Sequence, residues 1–505
     1  MSPKSAAWLR FALAILAGAV AAFGQAPYDI PVLLFLGFVV SLELFDRSQH
    51  PWQAAAIGWG FASGYFLHGW LWLLSPFMVD PERYAWMAPF ALVAMCCGLA
   101  LFWGLAFGVA RWLSPRSWPL IFCLPAAEMV RGYLFTGFPW GMFSQGLVDI
   151  WPGQGLAFVG PYGMTLALVA AAVLFTRAAQ GVLKNRIVLW GGRLVVLAAL
   201  VVPFSAGPSP LSDTTVRLVQ PNAAQKDKWD IAKMPLFFER QLAQTSAAPA
   251  AGNPKPDLIL WAETAIPWTL DLADGALSQI SFAAGDTPVV LGVQRREGLQ
   301  YYNSAVLLDP QGEVTQTYDK HHLVPFGEYI PFGDVLAKIG IRSFAAQLGN
   351  GYSSGPGATV MDLGRLGLAL PLICYEAVFA RDVNASPQRP AFLMQLTNDA
   401  WFGAGQGPLQ HLAQARMRAI EQGLPMARVA NTGVSAMIDP LGRINASLAL
   451  NTAGFLDARL PEPNSPTLYS RFGEWPFLLV LLIGLAGSLR RHFRKLPFDA
   501  QYRQS

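Results

Sequence analysis

Eight apolar stretches, seven in the first 206 residues and one near the C-terminus, limit the folds open to this chain. Each is close to the length of helix that crosses about 30 Å of hydrocarbon in a bilayer. The stretches lie at residues 6–25, 30–45, 54–74, 86–110, 118–135, 154–176, 187–206 and 475–489. The sequence therefore predicts a polytopic α-helical membrane domain of about eight transmembrane helices.

The overall composition agrees with a membrane protein that also carries a folded polar domain. Of the 505 residues, 53% are hydrophobic and only 13% are charged, which is too apolar for an ordinary soluble protein. The net charge of +4 does not indicate nucleic acid, because the Lys and Arg residues form no basic, aromatic-rich stripe. We therefore expect a membrane protein and no nucleic-acid partner.

The positions of Lys and Arg predict the orientation of the helices. Cytoplasmic loops collect positive charge, and in an eight-span arrangement most basic residues of the short loops and ends fall on one side. These residues are Lys4, Arg10, Arg47, Arg111, Arg116, Arg177, Lys184, Arg186, Arg490, Arg491, Arg494 and Lys495. Both termini are then cytoplasmic, and the long polar segment is periplasmic if the membrane is a bacterial inner membrane.

Three domains follow from this pattern. Residues 1–206 form a transmembrane domain of about seven helices, residues 207–474 form the periplasmic domain, and residues 475–505 form a C-terminal transmembrane helix and a cytoplasmic tail. In the middle segment, β-branched runs alternate with helical stretches, which is typical of an α/β domain. The predicted strands are 215–220, 257–261, 288–293, 302–308, 366–373 and 391–396, and the predicted helices are 226–246, 271–284 and 408–424.

Two features inside the membrane half allow local predictions. Glu128 and Arg131 lie one turn apart in the fifth apolar stretch, and charges in a membrane are costly, so we expect them to pair. Trp140 is expected to be one of the aromatic residues at the membrane surface.

Cys374 is the one cysteine in the polar half of the chain, so no disulfide within that domain is available to it. It follows an apolar run typical of a strand, as does Glu263, while Lys320 lies in a Tyr-Asp-Lys-His-His segment. Taken alone, a cysteine is commonly a small buried residue, and a glutamate or lysine is commonly solvated. Together at strand ends, a thiol, a carboxylate and an ammonium suit nucleophilic catalysis.

The motifs around these residues resemble the carbon–nitrogen hydrolase (nitrilase) superfamily. They occur in that family's order over about 260 residues, as Trp-Ala-Glu263-Thr, Tyr-Asp-Lys320-His-His, Ile-Cys374-Tyr-Glu376, Thr-Asn398-Asp-Ala-Trp401-Phe-Gly, Arg416-Met-Arg-Ala-Ile-Glu421 and Ala-Asn431-Thr-Gly433. The resemblance implies an α/β nitrilase-like domain, a four-layer αββα sandwich, with Glu263, Lys320 and Cys374 as its catalytic triad.

A nitrilase-like domain between the seventh and eighth of eight spans resembles, more narrowly, the apolipoprotein N-acyltransferase family. That resemblance implies transfer of a fatty acyl chain from a phospholipid, typically phosphatidylethanolamine, through a cysteine thioester. The acceptor is the N-terminal amine of a diacylglyceryl-cysteine in an apolipoprotein, and the reaction completes lipoprotein maturation.

The same resemblance assigns roles to individual residues. Cys374 carries the acyl group, Glu263 acts first as general base and then as general acid, and Lys320 stabilises the oxyanion together with the backbone N–H after Cys374. Further residues are assigned to support or to substrate access: Glu328, which orients Lys320 or assists proton transfer; Tyr375 and Glu376, which flank the nucleophile; and Trp229 and Trp401, which shape substrate access. For Trp401, ordinary buried packing is an equal alternative.

We expect no metal and no other cofactor. His321 and His322 have no third ligand at a suitable spacing, and His411 lies in a separate helical stretch. Asn398 and Asn431 are expected to hold loops by hydrogen bonds. Nothing in the sequence requires a partner besides the substrates and the membrane, so a monomer is predicted.

Two other functions remain open from the sequence. One is a membrane-anchored nitrilase-like amidohydrolase, in which water completes the second step. The other is a lipoprotein-binding scaffold without catalysis. The Gly-, Pro- and aromatic-rich loop from Pro325 to about Gly357 is in either case a candidate lid that dips into the outer leaflet, with Ile330, Phe332, Leu336, Ile339, Ile341 and Phe344 as its apolar residues.

Overall fold

The computed structural model describes residues 3–179, 186–249, 252–331 and 351–495, which group into two compact units. One unit contains residues 1–74, 86–206 and 471–505, and the other contains residues 75–85 and 207–470. The helices are α1 Pro3–Ala21, α2 Pro31–Asp46, α3 Pro51–Gly69, α4 Pro81–Tyr84, α5 Ala88–Leu113, α6 Leu120–Tyr133, α7 Leu156–Ala179, α8 Arg186–Ala199, α9 Met234–Ser246, α10 Asp274–Ala284, α11 Ala380–Asn384, α12 Gln406–Gln422, α13 Leu468–Phe472 and α14 Trp475–Lys495.

A helix occupies each of the eight predicted apolar stretches, but only some meet the length and composition of a membrane span. Four spans in the described residues do so: Ser5–Gly24, Pro81–Leu113, Trp151–Thr176 and Trp475–Arg494. The helices α2, α6 and α8 have 16, 14 and 14 residues, short of the roughly 20 that a perpendicular span requires. The structure therefore supports a helical unit with four candidate spans, a smaller number than the sequence predicted.

Small residues let the helices α1 and α3 pack closely. A Cβ atom at Gly18 would lie 1.9 Å from the carbonyl oxygen of Phe61, and one at Gly64 would lie 2.0 Å from the carbonyl oxygen of Ile15. No side chain fits at either distance. Such contacts between small residues are typical of helices packed in membranes. There the hydrophobic effect does not drive helices together, because lipid tails are as apolar as the side chains, and close packing takes its place.

Glu128 and Arg131 form the predicted ion pair, and both residues are 1% exposed. Arg131 Nη2 lies 2.7 Å from Glu128 Oε2, and Trp103 Nε1 donates to Glu128 Oε1 at 2.6 Å. Arg131 also donates to the backbone carbonyl of Trp140 at 2.9 Å. The expectation that Trp140 lies at the membrane surface is wrong, because this side chain is 1% exposed and packs against Trp72.

Replacing Glu128 with Gln keeps the shape of the side chain but leaves the buried Arg131 guanidinium without its counter-charge. We expect the free energy of unfolding to fall by about 3 kcal/mol. A lower midpoint of thermal unfolding in detergent would report this loss. The matched control is Glu82→Gln at an exposed position, and equal midpoints for both variants would contradict the prediction.

In its described residues, the second unit contains two six-stranded sheets. The strands are β1 Leu211–Gln220, β2 Leu258–Trp261, β3 Val289–Glu297, β4 Gln300–Leu308, β5 Val314–Asp319, β6 Met361–Asp362, β7 Leu368–Ile373, β8 Phe392–Thr397, β9 Met426–Ala430, β10 Ser435–Ile438, β11 Ile444–Leu448 and β12 Gly454–Pro461. Their order is β12-β1-β2-β3-β4-β5 in one sheet and β11-β10-β9-β8-β7-β6 in the other. The first and last strands of the unit, β1 and β12, pair antiparallel, with Leu211 opposite Pro461.

Three apolar clusters define four layers. One cluster joins the two sheets and includes Leu260, Val290, Met394 and Val429. A second lies between the first sheet and the helices α9 and α10, and a third lies between the second sheet and α12. This is the expected αββα sandwich, in which each sheet has one face on its neighbour and one face on helices.

The six strands predicted from the sequence all occur, within a few residues of the predicted ends. The other strands were not predicted, and two of them show why: β5 reads Val-Thr-Gln-Thr-Tyr-Asp, and β11 is largely exposed, so neither has a clear apolar pattern. Most of the proposed lid, including Phe332, Leu336, Ile339, Ile341 and Phe344, lies outside the described residues, as do residues 496–505 of the predicted tail.

Candidate active site

The three predicted catalytic residues follow the ends of three strands. Glu263 comes two residues after β2, Lys320 directly after β5, and Cys374 directly after β7. Their exposed fractions are 6%, 1% and 5%. Lys320 Nζ lies 3.5 Å from Glu263 Oε1, and both charges act on the thiol of Cys374. The structure therefore brings the three residues into one buried site.

Cys374 has an unusual backbone conformation. Its φ angle is +50°, at the first residue of the short helical turn Cys374–Val378. A non-glycine residue in this left-handed region costs about 1–3 kcal/mol, so the surrounding contacts must hold it there. Burial and the neighbouring Glu263 carboxylate raise the pKa of the Cys374 thiol well above its usual value, while Lys320 and a hydrogen bond with Thr397 act in the opposite sense. The thiol thus holds its proton more strongly than a free cysteine does, and a base beside it helps to remove that proton.

Glu263 is held by donors on both carboxylate oxygens. Asn303 Nδ2 donates to Oε1 at 2.7 Å, and the backbone N–H of Asn398 donates to Oε2 at 2.8 Å. Gly292 allows this close packing, because a Cβ there would lie 2.6 Å from Glu263 Cα. These contacts fix the direction in which the carboxylate meets its neighbours.

Lys320 is a buried cation between two carboxylates. Burial lowers its pKa, but Glu328, Glu263 and Cys374 together outweigh that effect and raise the pKa. Its ammonium donates to Glu328 Oε1 at 2.9 Å, and Asn303 Nδ2 donates to the same oxygen at 3.0 Å. The backbone N–H of Val324 donates to Glu328 Oε2 at 2.8 Å. Glu328 thus lies where it can orient Lys320, and its role stays a prediction.

Glu376 and Tyr375 follow the nucleophile in the chain, and both make contacts inside the protein. Glu376 is fully buried and accepts hydrogen bonds from the backbone N–H of Ile373 at 2.7 Å, from the backbone N–H of His321 at 2.8 Å and from the Tyr318 hydroxyl at 2.9 Å. It therefore ties the Cys374 turn to the loop that carries Lys320. The ring of Tyr375 packs edge-on against His322 and Phe379.

A pocket adjoins Glu263, and Trp229 forms part of its wall. Its other lining residues are mainly apolar and include Met234, Phe237, Phe238, Ile266 and Pro267. The position of Trp229 is compatible with its predicted role in substrate access. Trp401 is half-buried in the short turn Asp399–Phe402, and its role stays a prediction.

Several residues of the site were not identified from the sequence. Lys228 donates to Thr264 Oγ1 at 2.8 Å and to the Glu263 carbonyl at 3.1 Å; burial lowers its pKa to about 8, although Glu263 and Cys374 oppose that shift. Asn303 joins Glu263 to Glu328. His411, which was considered from the sequence only as a metal ligand, contacts the backbone carbonyl of Cys374. The one available signal was Asn303 itself, a polar residue within an apolar strand.

Asn398 and Asn431 hold neighbouring loops, as expected. Asn431 Nδ2 donates to Asn398 Oδ1 at 2.8 Å and to the carbonyl of Ala223 at 2.7 Å. In the part of the chain that the structure describes, no group of three or more His, Cys, Asp or Glu side chains is arranged to hold a metal ion. The site instead offers a thiol, a carboxylate base and an ammonium, which together suit covalent acyl chemistry.

Changing the charges beside Cys374 should move the reactivity of its thiol in opposite directions. Glu263→Gln removes the carboxylate that raises the pKa of Cys374, so we expect alkylation by iodoacetamide at pH 7 to become roughly threefold to tenfold faster. Lys320→Met removes the stabilising cation and should slow alkylation. The pH profile of alkylation, followed by intact mass, measures both effects.

Exposed Glu313→Gln is the matched control for this pair of variants and should leave the profile unchanged. A shift of the two active-site profiles in the same direction would show that the charges do not act on Cys374 as described.

Comparison with known families gives two matches that together cover both parts of the chain. The carbon-nitrogen hydrolase family matches residues 215–463, and the apolipoprotein N-acyltransferase N-terminal domain family matches residues 17–174. The first match contains the three triad positions, and the second lies within the helical part.

Individual relatives are similar over nearly the whole chain. An apolipoprotein N-acyltransferase from Rhodopseudomonas palustris is 37% identical, covering 96% of this chain and 96% of that protein. Proteins of the same name from Brucella suis and Sinorhizobium fredii are 36% and 38% identical, covering 95% and 88% of this chain and 95% and 89% of those proteins. Among solved structures, an amidase from Nesterenkonia sp. aligns with 55% of this chain and 99% of its own at 20% identity, with a TM-score of 0.38.

Proposed function

Because this chain belongs to the apolipoprotein N-acyltransferase family, we propose that Glu263, Lys320 and Cys374 carry out its acyl transfer. The donor is a phospholipid, typically phosphatidylethanolamine, and the acceptor is the N-terminal amine of a diacylglyceryl-cysteine in an apolipoprotein. The observation that carries the assignment of residues is the buried site in which Lys320 Nζ lies 3.5 Å from Glu263 and both charges act on the Cys374 thiol.

In the first step, Glu263 takes the proton of the Cys374 thiol as Sγ attacks the ester carbonyl of the phospholipid. The new oxyanion is stabilised by the Lys320 ammonium and by the backbone N–H of Tyr375. The ester C–O bond then breaks, and Glu263 returns its proton to the lysophospholipid oxygen. Cys374 is left as a thioester of the fatty acid.

In the second step, the amine of the acceptor attacks the thioester carbonyl. The same two donors stabilise the oxyanion, and Glu263 takes a proton from the attacking nitrogen. The C–S bond breaks, the N-acylated product leaves, and Cys374 regains its proton. A base is needed in both steps because a thiol is a poor nucleophile until it loses its proton, and because the attacking neutral amine must lose a proton to become an amide.

Supporting residues are assigned from their contacts. Glu328 keeps Lys320 charged and oriented through the 2.9 Å contact, and Glu376 fixes the Cys374 turn. Trp229 shapes substrate access from the wall of the cavity next to Glu263, and Trp401 is assigned the same task from the family pattern alone.

The chemistry of the substrates explains why the enzyme has membrane spans. Both substrates have acyl chains in a bilayer, whereas the small soluble amides of a nitrilase-like hydrolase need no membrane domain. We place the enzyme as a monomer in the bacterial inner membrane, with residues 1–206 and 475–505 forming eight spans and their cytoplasmic ends, and residues 207–474 in the periplasm. The distribution of Lys and Arg supports this orientation.

Labelling of single cysteines with a membrane-impermeant maleimide in intact cells and spheroplasts tests this topology. On a chain without native reactive cysteines, Ser2→Cys should be labelled only after the inner membrane is opened, and Asp309→Cys should be labelled in spheroplasts. Labelling of both or neither in spheroplasts would reject the orientation.

The decisive test of the function is the intact mass of the purified chain after incubation with phosphatidylethanolamine. We expect a fatty-acyl increment that hydroxylamine removes and that an added diacylglyceryl peptide discharges as an N-acylated product. Cys374→Ser should show no hydroxylamine-sensitive increment. Exposed Ser278→Ala is a control for handling and should behave as the unchanged chain.

Other results would favour the alternatives. Release of ammonia from small amides, with no transfer from phospholipid, would favour a membrane-anchored amidohydrolase. A Cys374→Ala variant that keeps full function in cells, on a chain that forms no adduct, would favour a lipoprotein-binding scaffold.

A further inference from the structure

A second set of buried polar residues contacts the backbone carbonyl of Cys374. His411 Nε2 lies 3.0 Å from the backbone carbonyl oxygen of Cys374, and Gln395 Nε2 donates to the same oxygen at 3.3 Å. His411 Nδ1 lies 2.8 Å from Asp399 Oδ1. His411 and Asp399 are fully buried. The nucleophile's own carbonyl is therefore held by two side chains.

The ring of His411 lies between two oxygen atoms, one of Asp399 and one of the Cys374 carbonyl. Arg428, His411 and the Thr397 hydroxyl lower the pKa of Asp399 against the effect of burial, so Asp399 is an ionised carboxylate that only accepts hydrogen bonds. The Cys374 carbonyl also only accepts. His411 therefore has an acceptor oxygen within hydrogen-bond distance of each ring nitrogen.

The orientation of Gln395 is fixed by a contact at its other end. Arg428 donates to Gln395 Oε1, so the amide nitrogen of Gln395 is the end that faces Cys374. Gln395 Nε2 lies 3.1 Å from His411 Nε2, so both side-chain nitrogens meet at one carbonyl oxygen. A carbonyl oxygen has two lone pairs and can accept both.

The contact at the carbonyl affects the group on the other side of the same peptide bond. The C=O of Cys374 and the N–H of Tyr375 belong to one amide, and a hydrogen bond to the oxygen polarises that amide and strengthens its N–H as a donor. A charged donor has a larger effect than a neutral one. Tyr375 N–H is the backbone donor that the proposed mechanism assigns to the oxyanion.

We propose that the Asp399–His411 pair is a positioning device that polarises the peptide group between Cys374 and Tyr375, and so strengthens the oxyanion-binding N–H from behind. The proposal rests on the function proposed above. It also explains how the left-handed backbone at Cys374 is kept, since two donors fix the carbonyl of that residue. A single buried network thereby sets both the direction of the thiol and the strength of the oxyanion donor.

The surroundings of Asp399 fit this role. Arg428 Nη2 donates to Asp399 Oδ2 at 2.6 Å, and Thr397 Oγ1 donates to Oδ1 at 2.9 Å. A Cβ atom at Gly433 would lie 2.2 Å from Asp399 Oδ2, so only glycine leaves room for the carboxylate. The glycine of the Ala-Asn-Thr-Gly motif seen in the sequence therefore matters here because it leaves space for the Asp399 carboxylate.

The test compares two reactions of the same sulfur in the variant His411→Gln. Thioester formation from phosphatidylethanolamine builds an oxyanion, whereas alkylation by iodoacetamide displaces iodide from carbon and builds none. The substituted amide side chain cannot contact both Asp399 and the Cys374 carbonyl as the two ring nitrogens do. We expect single-turnover thioester formation to slow by roughly 10- to 100-fold, near the lower limit for loss of a whole oxyanion donor, and alkylation to stay within about threefold.

Two further variants complete the experiment. His50→Gln, at an exposed position before α3, is the matched control and should leave both rates unchanged. Gly433→Ala displaces the Asp399 carboxylate without altering His411, and it should show the same selective loss. It keeps the proposal testable if His411→Gln does not fold.

Equal slowing of thioester formation and alkylation would overturn the proposal, because the pair would then only hold the thiol in place. Unchanged thioester formation in both folded variants would overturn it as well. If the unchanged chain itself forms no thioester, the proposed function fails instead, so the two failures are distinguishable.

Discussion

The pairing of the buried Lys320 ammonium with two carboxylates is the interaction on which the site depends. A lysine that is 1% exposed is stable as a cation only when carboxylates compensate the lost hydration. Glu328 supplies direct contacts at 2.9 Å, and Glu263 lies at 3.5 Å. Glu328 thus pairs with the cation, while Glu263 acts on both the cation and the thiol. This division leaves Glu263 free to take part in the proposed proton transfer without leaving Lys320 uncompensated.

The sandwich makes that arrangement possible because the two sheets contribute different groups. Glu263 and Lys320 follow strands of the first sheet, whereas Cys374 and Asn398 follow strands of the second. The backbone N–H of Asn398 reaches Glu263 across the two sheets at 2.8 Å. The apolar cluster between the sheets therefore sets the distances within the site. The packing of that cluster thus affects how the reactive groups meet.

Much of this was predictable from the sequence, and the reasons are physical. Strand ends are marked by apolar runs, so the positions of Glu263 and Cys374 were predicted, and the charge needs of a thiol pointed to Lys320. His411 and Asn303 were missed because their importance arises from contacts between distant segments: His411 meets a backbone carbonyl, which no residue type reveals. The short helices α2, α6 and α8 show the opposite limit, since hydropathy locates apolar helices more reliably than it gives their length.

The pairing of β1 with β12 has a consequence for how such a protein arises. Because Leu211 and Pro461 lie on adjacent strands, the α/β unit starts and finishes at neighbouring points on its surface. A unit with that property can be spliced into a loop of a host protein with little disturbance to either partner. Insertion of a separate enzyme into a helical protein would then need only one junction at each end of the enzyme. A membrane protein that acts on lipids can therefore arise by insertion of an existing enzyme into a membrane domain.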